Sequence, residues 1–433
     1  MIFRRRAGEG EGEARPAIFY GWWLVGGALI LGLLNSGLYF QAFSSFIEPL
    51  GESFGAGRGV ILLAFSLANL GEPVIGPIQG MLVDRYGPRW VMLFGVTLAG
   101  LGFVLSSFAG SITVFIVIFA PLVAVGQSMG LLQPAVTTVS KWFVRKRGQA
   151  LGYTFTGFAL GGALVPLVEY SIHALGWRHT FLAIGITMWA LGYPIALMMR
   201  KRPEHYGLLP DGDASPAHAA AAVKASGRTV TEIDFTLKEA IRSRAFWILG
   251  TAFALRMFVV ASITGHFIPM MGEKGISSGT AATLLLVFSA VTIPSRLIFG
   301  YLADRYSKIR LMEILMVVMI GSLLVLNFSS ATWHVAVFII IYGITWGGSG
   351  ASLIMAIRAE FFGRKNFGTI AGASSLLNLG GTVAGPIVVA IIFDAKGDYV
   401  FVWQLYVMIA GLSTFVMFFA KRPYPKRPLA QTT

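Results

Sequence analysis

The segment Gly80-Met81-Leu82-Val83-Asp84-Arg85-Tyr86 is written twice in this chain, the second time as Gly300-Tyr301-Leu302-Ala303-Asp304-Arg305-Tyr306, 220 residues later. The same offset pairs Pro49 with Pro269, Trp142 with Phe362, Arg145 with Lys365, Gly148 with Gly368, Gly152 with Gly372 and Pro166 with Pro386. A register held without gaps by prolines, an Asp-Arg pair and a basic cluster marks one half-chain duplicated. Whatever one half folds into, the other must match.

Each half is built from apolar runs long enough to cross a hydrocarbon core of about 30 Å as helices. The spacing predicts twelve, at 20–47, 59–82, 90–110, 113–140, 148–174, 178–199, 246–271, 279–302, 310–330, 333–361, 367–393 and 398–420. With 55% hydrophobic and 12% charged residues, against about 25% charged in soluble domains, the chain has too little polar surface for a water-soluble fold. The expected architecture is therefore an all-α membrane protein with two six-helix bundles, at 19–199 and 245–421. A linker at 200–244 joins them, and short tails occupy 1–18 and 422–433.

The net charge of +14 is distributed unevenly. Lys and Arg gather in the termini and in the loops after the second, fourth, sixth, eighth and tenth spans. This bias places both termini in the cytoplasm of a cell membrane and assigns the basic loops to anionic lipid rather than nucleic acid. Arg4, Arg5 and Arg6 precede an acidic linker and a full-length span, so the first 18 residues read as a short disordered cytoplasmic tail, not a secretory signal. The linker holds an Ala-rich run at Ala217–Ala222 and a candidate amphipathic helix near Phe235–Arg242. The chain has no cysteine, no metal-ligand spacing among its six histidines and no cofactor loop, which disfavours an enzyme; no cofactor is expected.

Twelve spans in two repeats, with Gly-x-Leu-x-Asp-Arg-x-Gly between the second and third and a degenerate copy between the eighth and ninth, resemble the major facilitator superfamily of secondary transporters. The resemblance implies that Gly80, Asp84, Arg85, Arg89, Gly300, Asp304 and Arg305 latch a cytoplasmic gate. Physically, the glycines allow close helix approach, the aspartates accept from a helix N-terminus or a cation, and the arginines bind carboxylates or lipid phosphate.

Phe19-Tyr20-Gly21-Trp22-Trp23, Trp142-Phe143-x-Arg145-Lys146-Arg147-Gly148-x-Ala150-x-Gly152, Gly176-Trp177-Arg178-x-x-Phe181 and Arg296 one turn before Gly300 are similar to the branch of oxalate:formate antiporters and monocarboxylate transporters. The resemblance implies that Arg296 receives a substrate carboxylate, a role its planar fork suits. The chain departs from that pattern at Gln41, where the proton-coupled carriers have a lysine, at Thr292, where they have an aspartate, and at Asn378, near the oxalate carrier's second cation.

Ionisable residues inside spans are costly and point to function. Arg256, Arg296 and Glu72 lie deepest, and Glu72 is a candidate partner of Arg256 or a proton-coupling site. Asn35, Tyr39, Gln127, Tyr342 and Trp346 are further cavity candidates, and His266 is a gate or pH-sensitive candidate. Packing is as good an explanation as ligand contact for each of these. The reading is a monomeric secondary transporter of a mono- or dicarboxylate working by alternating access. Its partners would be membrane lipids and a coupling proton or counter-substrate, with uniport, antiport and symport open. The alternatives are a multidrug or cationic-compound exporter of the same fold and a non-transporting membrane receptor.

Overall fold

The computed structural model describes residues 18–215, 217, 221 and 233–423, without the side chains of Glu72, Ser278 and Ala282. Most of both expected tails and of the Ala-rich run lies outside these residues. Apolar composition and internal hydrogen bonding make helices of all twelve runs, and no strand occurs among the described residues.

The first span is α1 (Tyr20–Leu34), a π-helical turn at Asn35–Phe40 and α2 (Phe43–Phe54). The second is α3 (Arg58–Asn69) with α4 (Gly71–Tyr86), the third α5 (Pro88–Ser107), and the fourth α6 (Ile112–Gly130) with α7 (Leu132–Trp142). The fifth runs through α8 (Arg147–Leu160) and a 3-10 turn into α9 (Val165–Met198), where Gly176, at φ 78°, reverses the chain into the sixth. The stretch Arg147–Met198 counts 52 residues, about 78 Å as straight helix and more than two membrane crossings. Among the described residues, eleven helical stretches apolar enough to span a membrane therefore make twelve spans.

In the linker, α10 (Leu237–Arg242) is short and closed by a Thr236/Glu239 capping box. The second half follows with α11 (Arg244–Glu273), α12 (Ser278–Arg305) and α13 (Lys308–Asn327) as the seventh to ninth spans. The tenth is α14 (Thr332–Gly348) with α15 (Ala351–Phe362), the eleventh α16 (Phe367–Lys396) and the twelfth α17 (Val400–Phe418). The fourth span breaks at Leu131 (φ −112°, ψ −117°) and the tenth at Ser349–Gly350, positions that nearly coincide under the repeat.

The end carrying the basic loops is the closed one. The helix pairs that join the halves, α4 with α16, α8 with α12 and α15, and α7 with α15 and α16, all lie there. Met355, Ala356, Ala359, Phe367 and Ala371 of the second half pack into the first half's core. At the opposite end α2 and α3 pack on helices of their own half.

Candidate functional site

At the basic end the duplicated motif builds two copies of one joint. Asp84, at the foot of α4, accepts from the Thr369 backbone N–H at 2.8 Å, the Thr369 hydroxyl at 2.7 Å and the Gly368 N–H at 3.3 Å, so a carboxylate of the first half caps α16 of the second. Asp304 accepts from the Gly148 and Gln149 N–H groups at 2.6 and 2.9 Å, so a carboxylate of the second half caps α8 of the first. A helix N-terminus presents unpaired N–H groups and partial positive charge, which is why an aspartate suits this place. Added methyl groups at Gly80 and Gly300 would meet the Gly368 and Gly148 carbonyl oxygens, so only glycine lets these helices approach so closely.

The first joint carries a further cation. Lys141 Nζ lies 2.5 Å from Asp84, with side chains 1% and 7% exposed, and Arg364 reaches from the second half to the Lys141 carbonyl at 2.8 Å and to Glu204 at 3.0 Å. The arginines of the motif stand outside this network. Arg85, Arg89 and Arg305 are exposed, Arg85 over the Tyr86 ring and Arg305 over the Tyr301 ring.

Among the described residues, cations at the waist lie on one side only. Arg256 is fully buried in α11: Nη2 donates to Ser349 Oγ at 2.7 Å, the guanidinium lies 5.0 Å from the centre of the half-buried Trp346 ring, and Nε and Nη1 have no partner. Ser349 is available there because the tenth span breaks at that residue. Tyr342 is buried nearby between Phe288 and Phe338, its hydroxyl unpartnered. Arg296 in α12 crosses the seam between the halves, its Nη1 donating to the Phe155 carbonyl of α8 at 2.6 Å, so it does not point out toward lipid. Under the repeat Arg256 stands where the first half has Ser36, and Arg296 where it has Gly76.

The first half contributes neutral groups. Gln127 is buried with neither end of its amide partnered, Asn35 is half-buried in the π-helical turn, and Gln41 donates to Ser36 Oγ at 2.6 Å. Tyr39 packs against Phe65, Phe103 and Phe119. In α16 the Asn378 side-chain oxygen is buried without a partner. His266 sits within the second half, Nε2 3.2 Å from the Pro386 carbonyl and Nδ1 3.4 Å from the Tyr399 hydroxyl, away from the Arg256 group. The Glu72 side chain lies outside the described residues. A separate cavity of about 880 Å³ at the opposite end is lined by Glu48, Glu52, Glu169 and His173 and includes none of the expected substrate residues.

Three participants escaped the sequence reading: Lys141, Thr369 and Ser349. The repeat offset already pointed to Thr369, as the image of Gln149.

The family model of the Major Facilitator Superfamily matches residues 28–378 and 270–432. The chain belongs to the Major Facilitator Superfamily. Among relatives, the oxalate:formate antiporter of Oxalobacter formigenes is 24% identical over 92% of this chain and 90% of its own length. Human monocarboxylate transporter 2 is also 24% identical, over 89% of this chain and 82% of its own. A structure of the proton:xylose symporter XylE superposes with a TM-score of 0.71 at 15% identity, covering 93% of this chain and 96% of that one. The superfamily gives the paired joints their setting: this is an integral multi-pass membrane transporter whose two halves meet at the basic end.

Proposed function

We propose that this transporter moves a small organic anion, a mono- or dicarboxylate, across the cell membrane by rocking its halves, 19–199 and 245–421, about the waist. Arg256 carries the proposal. A guanidinium buried at mid-membrane costs about 2.5–3.5 kcal/mol or more, and this one has two N–H-bearing nitrogens unpartnered and no carboxylate bonded to it among the described residues. Such a charge is retained when an anion meets it during the cycle. The break at Ser349–Gly350 gives the tenth span a hinge that can uncover it, and a substrate carboxylate would replace the single Ser349 contact with a bidentate pair.

Arg296 would supply the second contact. Its bond to the Phe155 carbonyl ties α12 to α8 while the basic end is shut, and a carboxylate arriving at Arg296 would compete for that bond and loosen the seam. The relatives' names, an oxalate:formate antiporter and a monocarboxylate transporter, favour the same cargo class. On this reading the basic end and both termini face the cytoplasm, the exposed Arg85, Arg89 and Arg305 rest against anionic headgroups, and a monomer suffices.

The test is uptake of labelled formate, lactate and oxalate into proteoliposomes, each competed with unlabelled carboxylates and with lipophilic cations. Carboxylate uptake insensitive to the cations supports the proposal. Transport of lipophilic cations alone would replace it with the exporter reading, and saturable binding without flux would replace it with the receptor.

A further inference from the structure

Another buried guanidinium, Arg358 in α15, has no part in the waist. It is 2% exposed, and its contacts are Met355 Sδ, 4.0 Å from Nη1, and the face of Phe253 in α11, at 5.6 Å; Nη2 has no partner. In the first half the same repeat position holds Thr138. A sulfur contact and a ring face are weak returns for a fully desolvated cation.

Its place on the helix explains what it waits for. Met355, Ala356 and Ala359 of α15 pack into the first half's core, and Leu353, Ile354, Ile357 and Phe361 into the basic-end core of the second. At about 100° per residue, Arg358 falls on the border between these faces, beside Met355. The first-half helices packed on α15 are α7 and α8, and α8 also packs on α12. Thus α8 fills a groove between α12, which carries Arg296, and α15, which carries Arg358. For the basic end to open, α8 must leave this groove. Arg296 then gives up the Phe155 carbonyl, and Met355, whose sulfur lies against Arg358, loses the first-half residues packed on it.

Resting on the carboxylate reading above, we propose that Arg358 is a second carboxylate-binding position on the route from the waist to the basic end, hidden while α8 is seated and uncovered when it withdraws. A carboxylate released from Arg256 and Arg296 passes to Arg358 before reaching water, and one entering from the basic face meets Arg358 first. Desolvation of this cation in the shut state also opposes closure, an effect the Asp84 and Asp304 joints must offset.

Two measurements test this. Exchange of labelled lactate is followed in right-side-out and inside-out vesicles containing the full chain. Arg358→Gln should raise the half-saturation concentration at the basic face at least tenfold and leave that at the opposite face within twofold, and Arg358→Lys should fall between the two. Equal shifts at both faces, or reduced maximal rates with half-saturation unchanged, would make Arg358 a structural residue and overturn the proposal. Independently of cargo, Arg358→Cys is a unique thiol in this cysteine-free chain. A membrane-impermeant thiol reagent applied at the basic face should label it when Asp84→Asn has opened that end and spare it otherwise; protection in both backgrounds overturns the uncovering step. If the thiol is uncovered but the unaltered chain exchanges no lactate, formate or oxalate, the carboxylate reading fails and the ligand assigned here falls with it.

Discussion

Replacing Asp84 by asparagine should move the whole transporter, because its contacts to Gly368 and Thr369 exist only while the halves are together, and its pair with Lys141, within the first half, is buried in the shut state. One carboxylate oxygen takes Lys141 Nζ and the Gly368 N–H, and the other takes the N–H and hydroxyl of Thr369. Asparagine keeps one acceptor and turns a donor toward the other pair, and in either orientation Lys141, 1% exposed, loses its counter-charge. Breaking a buried pair by removing one partner costs about 3–5 kcal/mol. With the basic end open the same groups face water and the cost vanishes, so it falls on the shut state alone. At about 1.4 kcal/mol per tenfold, the equilibrium should shift toward opening by roughly two to three and a half orders of magnitude. Spin labels at Tyr86→Cys and Lys365→Cys, exposed on opposite halves beside the joint, report this by electron–electron resonance distances. A single short distance should give way to a longer, broader distribution, with expression nearly unchanged. An unchanged distribution would refute the latch, and equal loss of expression and transport would assign Asp84 to assembly.

Three further substitutions probe the same framework. Lys141→Met leaves Asp84 its three contacts on α16, so the opening shift should be smaller than for Asp84→Asn by the same distance measurement. Gly80→Leu would press a side chain into the Gly368 carbonyl, and overpacking of about 1–3 kcal/mol or more should prop the basic end open; trapped, slow exchange with normal membrane insertion is the expected result. Arg256→Met removes a desolvated cation with a single hydrogen-bond partner, so the melting temperature of the detergent-solubilised protein should hold or rise while carboxylate uptake drops at least tenfold. A melting temperature lowered by many degrees would mean that Arg256 holds the fold.

The twelve spans were legible because hydrocarbon-length apolar runs leave the backbone no alternative to helix, and the chain reverses at Gly176, inside the gap left between 148–174 and 178–199. The two joints were legible because the repeat copied Asp84 and Asp304 with their glycines. What the motif arginines do was not: their spacing suits carboxylate binding, yet they lie on exposed faces, and the buried cation at Asp84 comes from Lys141, 57 residues away. Arg256 stood out as a charge far from any span end. Arg358 did not, because sequence places it near a helix terminus, where a long side chain can usually reach water. Only packing shows that Arg358 is buried there, beside Met355, Ala356 and Ala359, which the other half covers.

The central claim is that positive charge at the waist of the second half receives an acid. Thermal unfolding of the purified protein across a panel of formate, lactate and oxalate, repeated on Arg256→Met and Arg296→Ala, tests it most directly. Ligand at about a hundred times its dissociation constant should stabilise the unaltered chain by about 2.7 kcal/mol and raise its melting temperature measurably, and both variants should lose that rise. A rise undiminished in both variants, or one produced only by lipophilic cations, would contradict the account.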